Sequence, residues 1–206
     1  MKLYLSPGAC SLAPHIVLRE LGIAFEPEVV HLATGKTANG EDFRALNPKG
    51  YVPALALDDG EILTEVSVIL QYLAAQRPGA ELLPAGNGLE YFRCLETLAF
   101  VSTEIHKGFS SLFNAKLEPA AREATVERVL KRVAYLDEQL EDRTYLMGEA
   151  FTIADAYLYT VLSWAPMLKV NLGGLSNIAR FREAVAARPA VKEALKAETE
   201  LRRSNS

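Results

Sequence analysis

Only two cysteines occur in the 206 residues, Cys10 and Cys94. No CxxC pair or Cys/His cluster accompanies them, so a disulfide framework or a structural zinc site has no support. There is also no Lys/Arg run interleaved with aromatics. With 22 Lys+Arg against 26 Asp+Glu the formal charge is −4, which argues against a nucleic-acid partner held on a basic face. No window approaches ~18 uninterrupted apolar residues, and the opening MKLYLSPGACSL is too short an apolar stretch for a signal peptide. The expectation is a soluble cytoplasmic protein with no membrane, nucleic-acid or metal partner. What is present is ordinary for a globular chain, 50% hydrophobic and 23% charged, and long enough for one large domain or two modest ones with a buried core.

The chain reads as two halves, α/β first and all-α second. In the first, KLYLS (2–6) is a short strand punctuated by Pro7-Gly8. Leu12 to Leu21 carries helical spacing, with Pro14 tolerable in the first turn and Gly22 closing the helix. FEPEVVHL (25–32) reads as a strand, pushed toward a sheet edge by Pro27. A short helix follows. ALALDDGEILT (54–64) then reads as a hairpin turning tightly at Asp59-Gly60, and EVSVILQYLAA (65–75) as a helix. Prolines and glycines mark residues 79–87 as a linker between a domain over 1–78 and a helical domain over 88–206. In that second half, Leu89 to about Phe113 is a long helix. Val126, Val129, Leu130, Val133, Leu136 and Leu140 form the apolar stripe of the next. FTIADAYLYTVLSWA (151–165) opens with Thr152 and Asp155 in capping-box positions and is apolar almost all round, so it is expected to be the core of its domain. A last helix begins near Ser176 and stops near Arg188-Pro189.

Cys10 sits where the first strand turns into the first helix. A thiol facing a helix N-terminus loses its proton below the free value of about 8.5, because the unpaired N–H groups favour the thiolate. A small buried hydrophobe is the competing reading, and position alone leaves both open. Ser11 is equally double: its hydroxyl can bond a thiolate or satisfy a helix-end donor. Cys94 lies mid-helix among Phe92, Leu95 and Leu98 and reads as packing.

A βαβ–ββα half joined through a Pro/Gly linker to a helical half resembles the glutathione transferases. NPKGYVPALALDDGEILTEVSVILQYL (47–73) is similar to that family's glutathione-binding segment, and FTIADAYL to the capping motif of its second domain. SPGACSLAPHIVLREL and EIHKGFSSLF (104–113) resemble the bacterial beta class in particular. The resemblance implies a thioredoxin-like N-terminal domain followed by an all-helical one, glutathione as co-substrate, a hydrophobic electrophile as second substrate, and a homodimer. It implies a cysteine, Cys10, beside the glutathione sulfur, able to form a mixed disulfide with it, with Ser11 and His106 completing the catalytic set.

For binding, the resemblance implies that Val52 and a cis Pro53 meet the peptide backbone. Glu65 and Val66 would hold the γ-glutamyl end, and Lys36 the glycyl carboxylate. Thr103, Glu104 and Lys107 would surround His106. Several positions depart from the pattern. Lys36 comes one step late, with Gly35 in the expected place. Ala99 stands where the class has a polar amide, and Thr103 where it has serine. Leu5 stands where tyrosine-type members carry their tyrosine, and the neighbouring Tyr4 should point to the other sheet face. A catalytic transferase or thiol–disulfide exchanger is thus implied. A non-catalytic, protein-binding regulator on the same fold is the alternative that Ala99 and Lys36 leave room for.

Overall fold

A computed structural model describes residues 1–205. In chain order the elements are β1 Lys2–Leu5, α1 Leu12–Glu20, β2 Glu26–His31, β3 Lys36–Thr37, α2 Phe43–Leu46, β4 Ala54–Ala56, β5 Ile62–Thr64 and α3 Val66–Gln76. They continue with α4 Leu89–Phe100, α5 Lys107–Ser111, α6 Pro119–Gln139, α7 Ile153–Leu162, α8 Ser176–Ala187 and α9 Pro189–Ser204. Two compact units result: Met1–Ala80 together with the chain from Ala187 onward, and Glu81–Ala186. No described helix is long and apolar enough to cross a membrane.

The first unit is a mixed sheet in the order β3-β2-β1-β4-β5, with β1 and β2 parallel and the other pairs antiparallel. Alternation along β1 puts Leu3 and Leu5, both fully buried, on one face. Tyr4 points the other way, into a cluster with Val30, Phe43, Val52 and Ala54, as the strand period requires. Helix α1 ends as expected at Gly22, whose φ of +60° a glycine adopts without strain. The Ile23 N–H reaches back to the Leu18 carbonyl and the Gly22 N–H to Arg19, a Schellman closure.

Three local readings need correction. The hairpin does not turn on two residues: Gly60 N–H bonds to the Leu57 carbonyl and Leu57 N–H to Glu61, so three residues, ending in left-handed Gly60, make the loop. Strand β2 is not the edge. The edge is β3, only two residues long, which pairs with Val30 and His31 and leaves Pro27 uncovered on that side. Residues 88–206 do not pack as one helical body either, because α9 lies against α1 within the first unit.

In the second unit the long helix expected from Leu89 is α4 and α5 joined by a π-helical stretch, Val101–His106. A Cβ on Gly108 would lie 2.6 Å from Val129 Cγ2, so only glycine lets α5 come this close to α6. Helix α6 buries Val129, Val133 and Leu136 of the predicted stripe. Every residue of α7 is buried, which makes it the core of this unit. The Asp155 carboxylate accepts from Thr152 N–H (2.7 Å), Thr152 Oγ1 (2.7 Å) and Leu146 N–H (2.8 Å). Thr152 and Asp155 thus tie the start of α7 to the preceding loop. The linker is not wholly free, since the carbonyl of buried Leu82 accepts from Ile153 N–H at 2.9 Å.

Candidate active site

The turn that carries Cys10 is closed upon itself. Ser11 is fully buried; its Oγ accepts from Ser6 N–H (3.1 Å) and donates to the Ser6 carbonyl (3.2 Å). A hydroxyl has one proton, so in this arrangement Ser11 secures the turn and has none to offer a bound sulfur. The turn is also gripped by α9. Gly8 N–H donates to Glu198 Oε2 at 2.7 Å, and Arg202 Nη2 to the Pro7 carbonyl at 2.8 Å. Gly8 has φ +84°, which favours glycine, and a Cβ there would stand 2.7 Å from Arg202 Nη2 and push that guanidinium off the Pro7 carbonyl. Glu198 in turn meets His15 Nδ1 at 3.2 Å, while Arg19 Nε donates to His15 Nε2 at 3.0 Å. Since an Arg nitrogen can only donate, the His15 proton sits on Nδ1 and points at Glu198.

Cys10 itself is half-buried, with Sγ 3.2 Å from the Val52 carbonyl. The Val52-Pro53 peptide is cis. Among the described residues the Val52 N–H makes no hydrogen bond, which leaves a backbone donor open beside the thiol. At the other end of this surface Glu65 holds φ +68°, a conformation that costs a residue with a Cβ about 1–3 kcal/mol and tends to mark working sites. Its Oε1 accepts from Lys49 Nζ at 2.7 Å and Tyr51 OH at 2.9 Å; Lys49 also reaches Thr64 Oγ1 at 2.8 Å. The hydrogen bond to Glu65, then burial, hold the Tyr51 phenol above its ordinary value, and the charge of Cys10 adds to this. Helix α3 begins immediately after Glu65, and the N–H groups of Val66 and Ser67 have no partner among the described residues. An acid held in place next to two open helix-end donors can take both halves of an α-amino-carboxylate.

Cys10, Val52, Pro53, Glu65 and Val66 therefore belong to one unit, and hydrogen bonds or chain adjacency link them. Lys36 is exposed on β3, and its ammonium makes no hydrogen bond or ion pair among the described residues. Lys49, Tyr51 and the α9 pair Glu198 and Arg202 were missed by the sequence reading. Lys49 and Tyr51 stand in NPKGYVP, where a loop lysine looks merely solvated.

The other candidates lie in the second unit. Thr103 Oγ1 donates to the Ala99 carbonyl (3.1 Å), and Glu104 pairs with Arg132 Nε at 2.8 Å. Lys107 is exposed. His106 Nδ1 lies 2.5 Å from Tyr157 OH, and its ring stands edge-on to Trp164 at a centroid distance of 5.1 Å. Cys94 is fully buried, and burial pushes its thiol up to about 11. It is a packing residue, as expected.

A thioredoxin-like mixed sheet followed by a helical unit, with a cysteine at the first helix and a cis-proline loop beside it, defines the class. The comparisons name the family. The model of the glutathione S-transferase N-terminal domain matches residues 8–76 and that of the C-terminal domain residues 100–189. This chain belongs to the glutathione S-transferase family. It is 46% identical over 198 residues to glutathione S-transferase GstA of Escherichia coli O157:H7, covering 96% of this chain and 98% of that one. Its structure is similar to a ternary complex of BphK, a bacterial glutathione transferase (TM-score 0.95, 45% identity, 97% of this chain and 100% of that one). It is also similar to a sphingomonad glutathione S-transferase complexed with glutathione (TM-score 0.93, 46% identity, 97% and 99%). A beta-class enzyme of Sphingomonas chungbukensis matches at 44% identity and TM-score 0.92, covering 96% of this chain and 98% of that one.

Proposed function

We propose that this chain is a glutathione transferase that joins the glutathione sulfur to hydrophobic electrophiles and exchanges disulfides through Cys10. The observation that carries the reading is the open N–H of Val52, the residue whose carbonyl meets the Cys10 thiol, together with a Glu65 carboxylate held at the start of α3. An extended tripeptide lies along such a surface with its backbone on Val52 and its γ-glutamyl ammonium on Glu65. Its α-carboxylate meets the Val66 end of α3. In conjugation the glutathione thiolate attacks the electrophilic carbon, a C–S bond forms and the leaving group departs with its electron pair. In exchange the Cys10 thiolate attacks one sulfur of glutathione disulfide and releases the other half as glutathione thiolate.

Lys36 is proposed for the glycyl carboxylate, with its unpartnered ammonium as support. For Thr103, Glu104, His106 and Lys107 the proposal rests on the family resemblance alone. Homodimer formation and a cytoplasmic, detoxifying role come from the same source. Calorimetric titration with glutathione tests the reading. Glu65→Ala keeps a Cβ at the strained position, so it leaves the backbone penalty in place and removes only the carboxylate. Loss of a charge-assisted hydrogen bond should weaken binding by about 1.5–3 kcal/mol. An unchanged dissociation constant would reduce Glu65 to a residue that merely favours the helix dipole. Binding without turnover of any electrophile or disulfide would return the protein to the regulator reading.

A further inference from the structure

The second unit contains a cavity of about 270 Å³ between the end of α7 and the first turns of α8. Its walls are mostly apolar: Pro166, Val170, Leu172, Leu175 and Ile178. Two polar side chains also line it, Asn171 and Arg182. The Arg182 Nε–H is buried without an acceptor, and the guanidinium makes no hydrogen bond or ion pair among the described residues. Two other arginines of the same unit do find acceptors. Arg180 donates to the carbonyls of Leu140 and Glu141, and Arg122 to those of Leu112 and Leu168.

Asn171 accepts from Gly173 N–H through Oδ1 at 2.8 Å, which leaves its amide nitrogen as a second unused donor. The start of α8 offers no competing anion site, because the Asp137 carboxylate already takes Ile178 N–H (2.7 Å) and the Asn177 side chain (3.3 Å). The cavity is open to solvent at Pro166, Asn171, Gly173 and Ala179, and it sets the Arg182 guanidinium and the Asn171 amide nitrogen as donors on a largely apolar wall. An occupant that satisfies it brings acceptor oxygens, one negative charge and a compact apolar body. An apolar cavity of about 150 Å³ holds a benzene ring, so this one has room for a ring with a short carboxylate arm.

We propose that this cavity is a binding site for small aromatic monocarboxylates, separate from the glutathione site, with Arg182 pairing the carboxylate. Phenylacetate is the probe. Trp164 is the chain's only tryptophan and precedes cavity-lining Ala165, so its fluorescence is the signal; its ring also packs on His106, and the Arg182 and Ala179 variants assign the signal to this cavity. Phenylacetate should quench or shift it saturably, with glutathione at saturating concentration leaving the affinity unchanged. The neutral analogue 2-phenylethanol should bind at least tenfold more weakly. R182Q should lower phenylacetate affinity at least tenfold while conjugation activity stays at the parent level. Ala179→Leu fills the cavity and leaves the guanidinium in place, so it tests the same site should R182Q fold poorly; it too should lose binding at least tenfold. Equal binding of the neutral analogue, displacement by glutathione, or parent-like affinity in a folded R182Q or Ala179→Leu protein would each overturn the assignment.

Discussion

The two cysteines make a paired experiment in which each is the control for the other. Cys94 is fully buried on α4 and its thiol is pushed up to about 11, so at pH 7 roughly one molecule in 10⁴ carries the thiolate. An ordinary thiol of pKa about 8.5 is roughly 3% ionised at the same pH. Ionisation alone thus separates Cys94 from an unperturbed cysteine by about 300-fold, before the cost of opening the core is counted. Cys10 is half-buried, at the head of α1, with its sulfur against the Val52 carbonyl. Glutathione disulfide should therefore add a single glutathione to the intact protein, seen as a mass shift that dithiothreitol reverses. Cys10→Ala should abolish the adduct and Cys94→Ala should leave it untouched. Disulfide exchange needs the protein sulfur and should collapse in Cys10→Ala. Conjugation uses the sulfur of glutathione and need not. An adduct that persists in Cys10→Ala would refute the reasoning, whatever the activities show.

Glu198→Gln keeps the shape of the acid, but an amide has one acceptor oxygen for two donors, Gly8 N–H and His15 Nδ1–H. Arg19 blocks the other tautomer. A loss of about 1–3 kcal/mol is expected in urea unfolding, with faster alkylation of Cys10 as its turn loosens; an unchanged midpoint would remove the clamp. Burial, opposed by the hydrogen bonds from Leu146 and Thr152, pushes Asp155 up to about 6 from an ordinary 3.8. A folded value above the unfolded one makes its contribution fullest below about pH 4 and lost as the pH rises through about 6, up to roughly 3 kcal/mol in all. Asp155→Asn cannot titrate, so the stability difference between parent and variant should change across that window; parallel curves from pH 4 to 7 would disprove the shift.

What could be read from the sequence is what is decided locally. Gly22 closes α1 because the residue there must be left-handed, and a glycine between an apolar helix and a strand says so directly. Thr152 and Asp155 announce the start of α7, and the apolar composition of that helix announces its complete burial. The Asp59-Gly60 pair reads as a turn, but the form of that turn depends on which carbonyl Gly60 meets, and neighbouring residue types do not fix that.

The features that stayed hidden are joined across the chain. His15 falls within the helical spacing of α1 and is buried because Glu198 and Arg19 satisfy both ring nitrogens. Glu198 belongs to a helix whose own periodicity gives no reason to dock on α1 rather than on its sequence neighbours. Glu65 shows the same limit at the site. Its acidic side chain was legible as a candidate ligand, whereas its φ of +68° was not, because glutamate is a residue type that normally avoids that region. Lys49 and Tyr51 hold the carboxylate in one orientation, which adds to the effect of its charge. An acid free to rotate would have to lose that freedom on binding, and these two donors have already removed it.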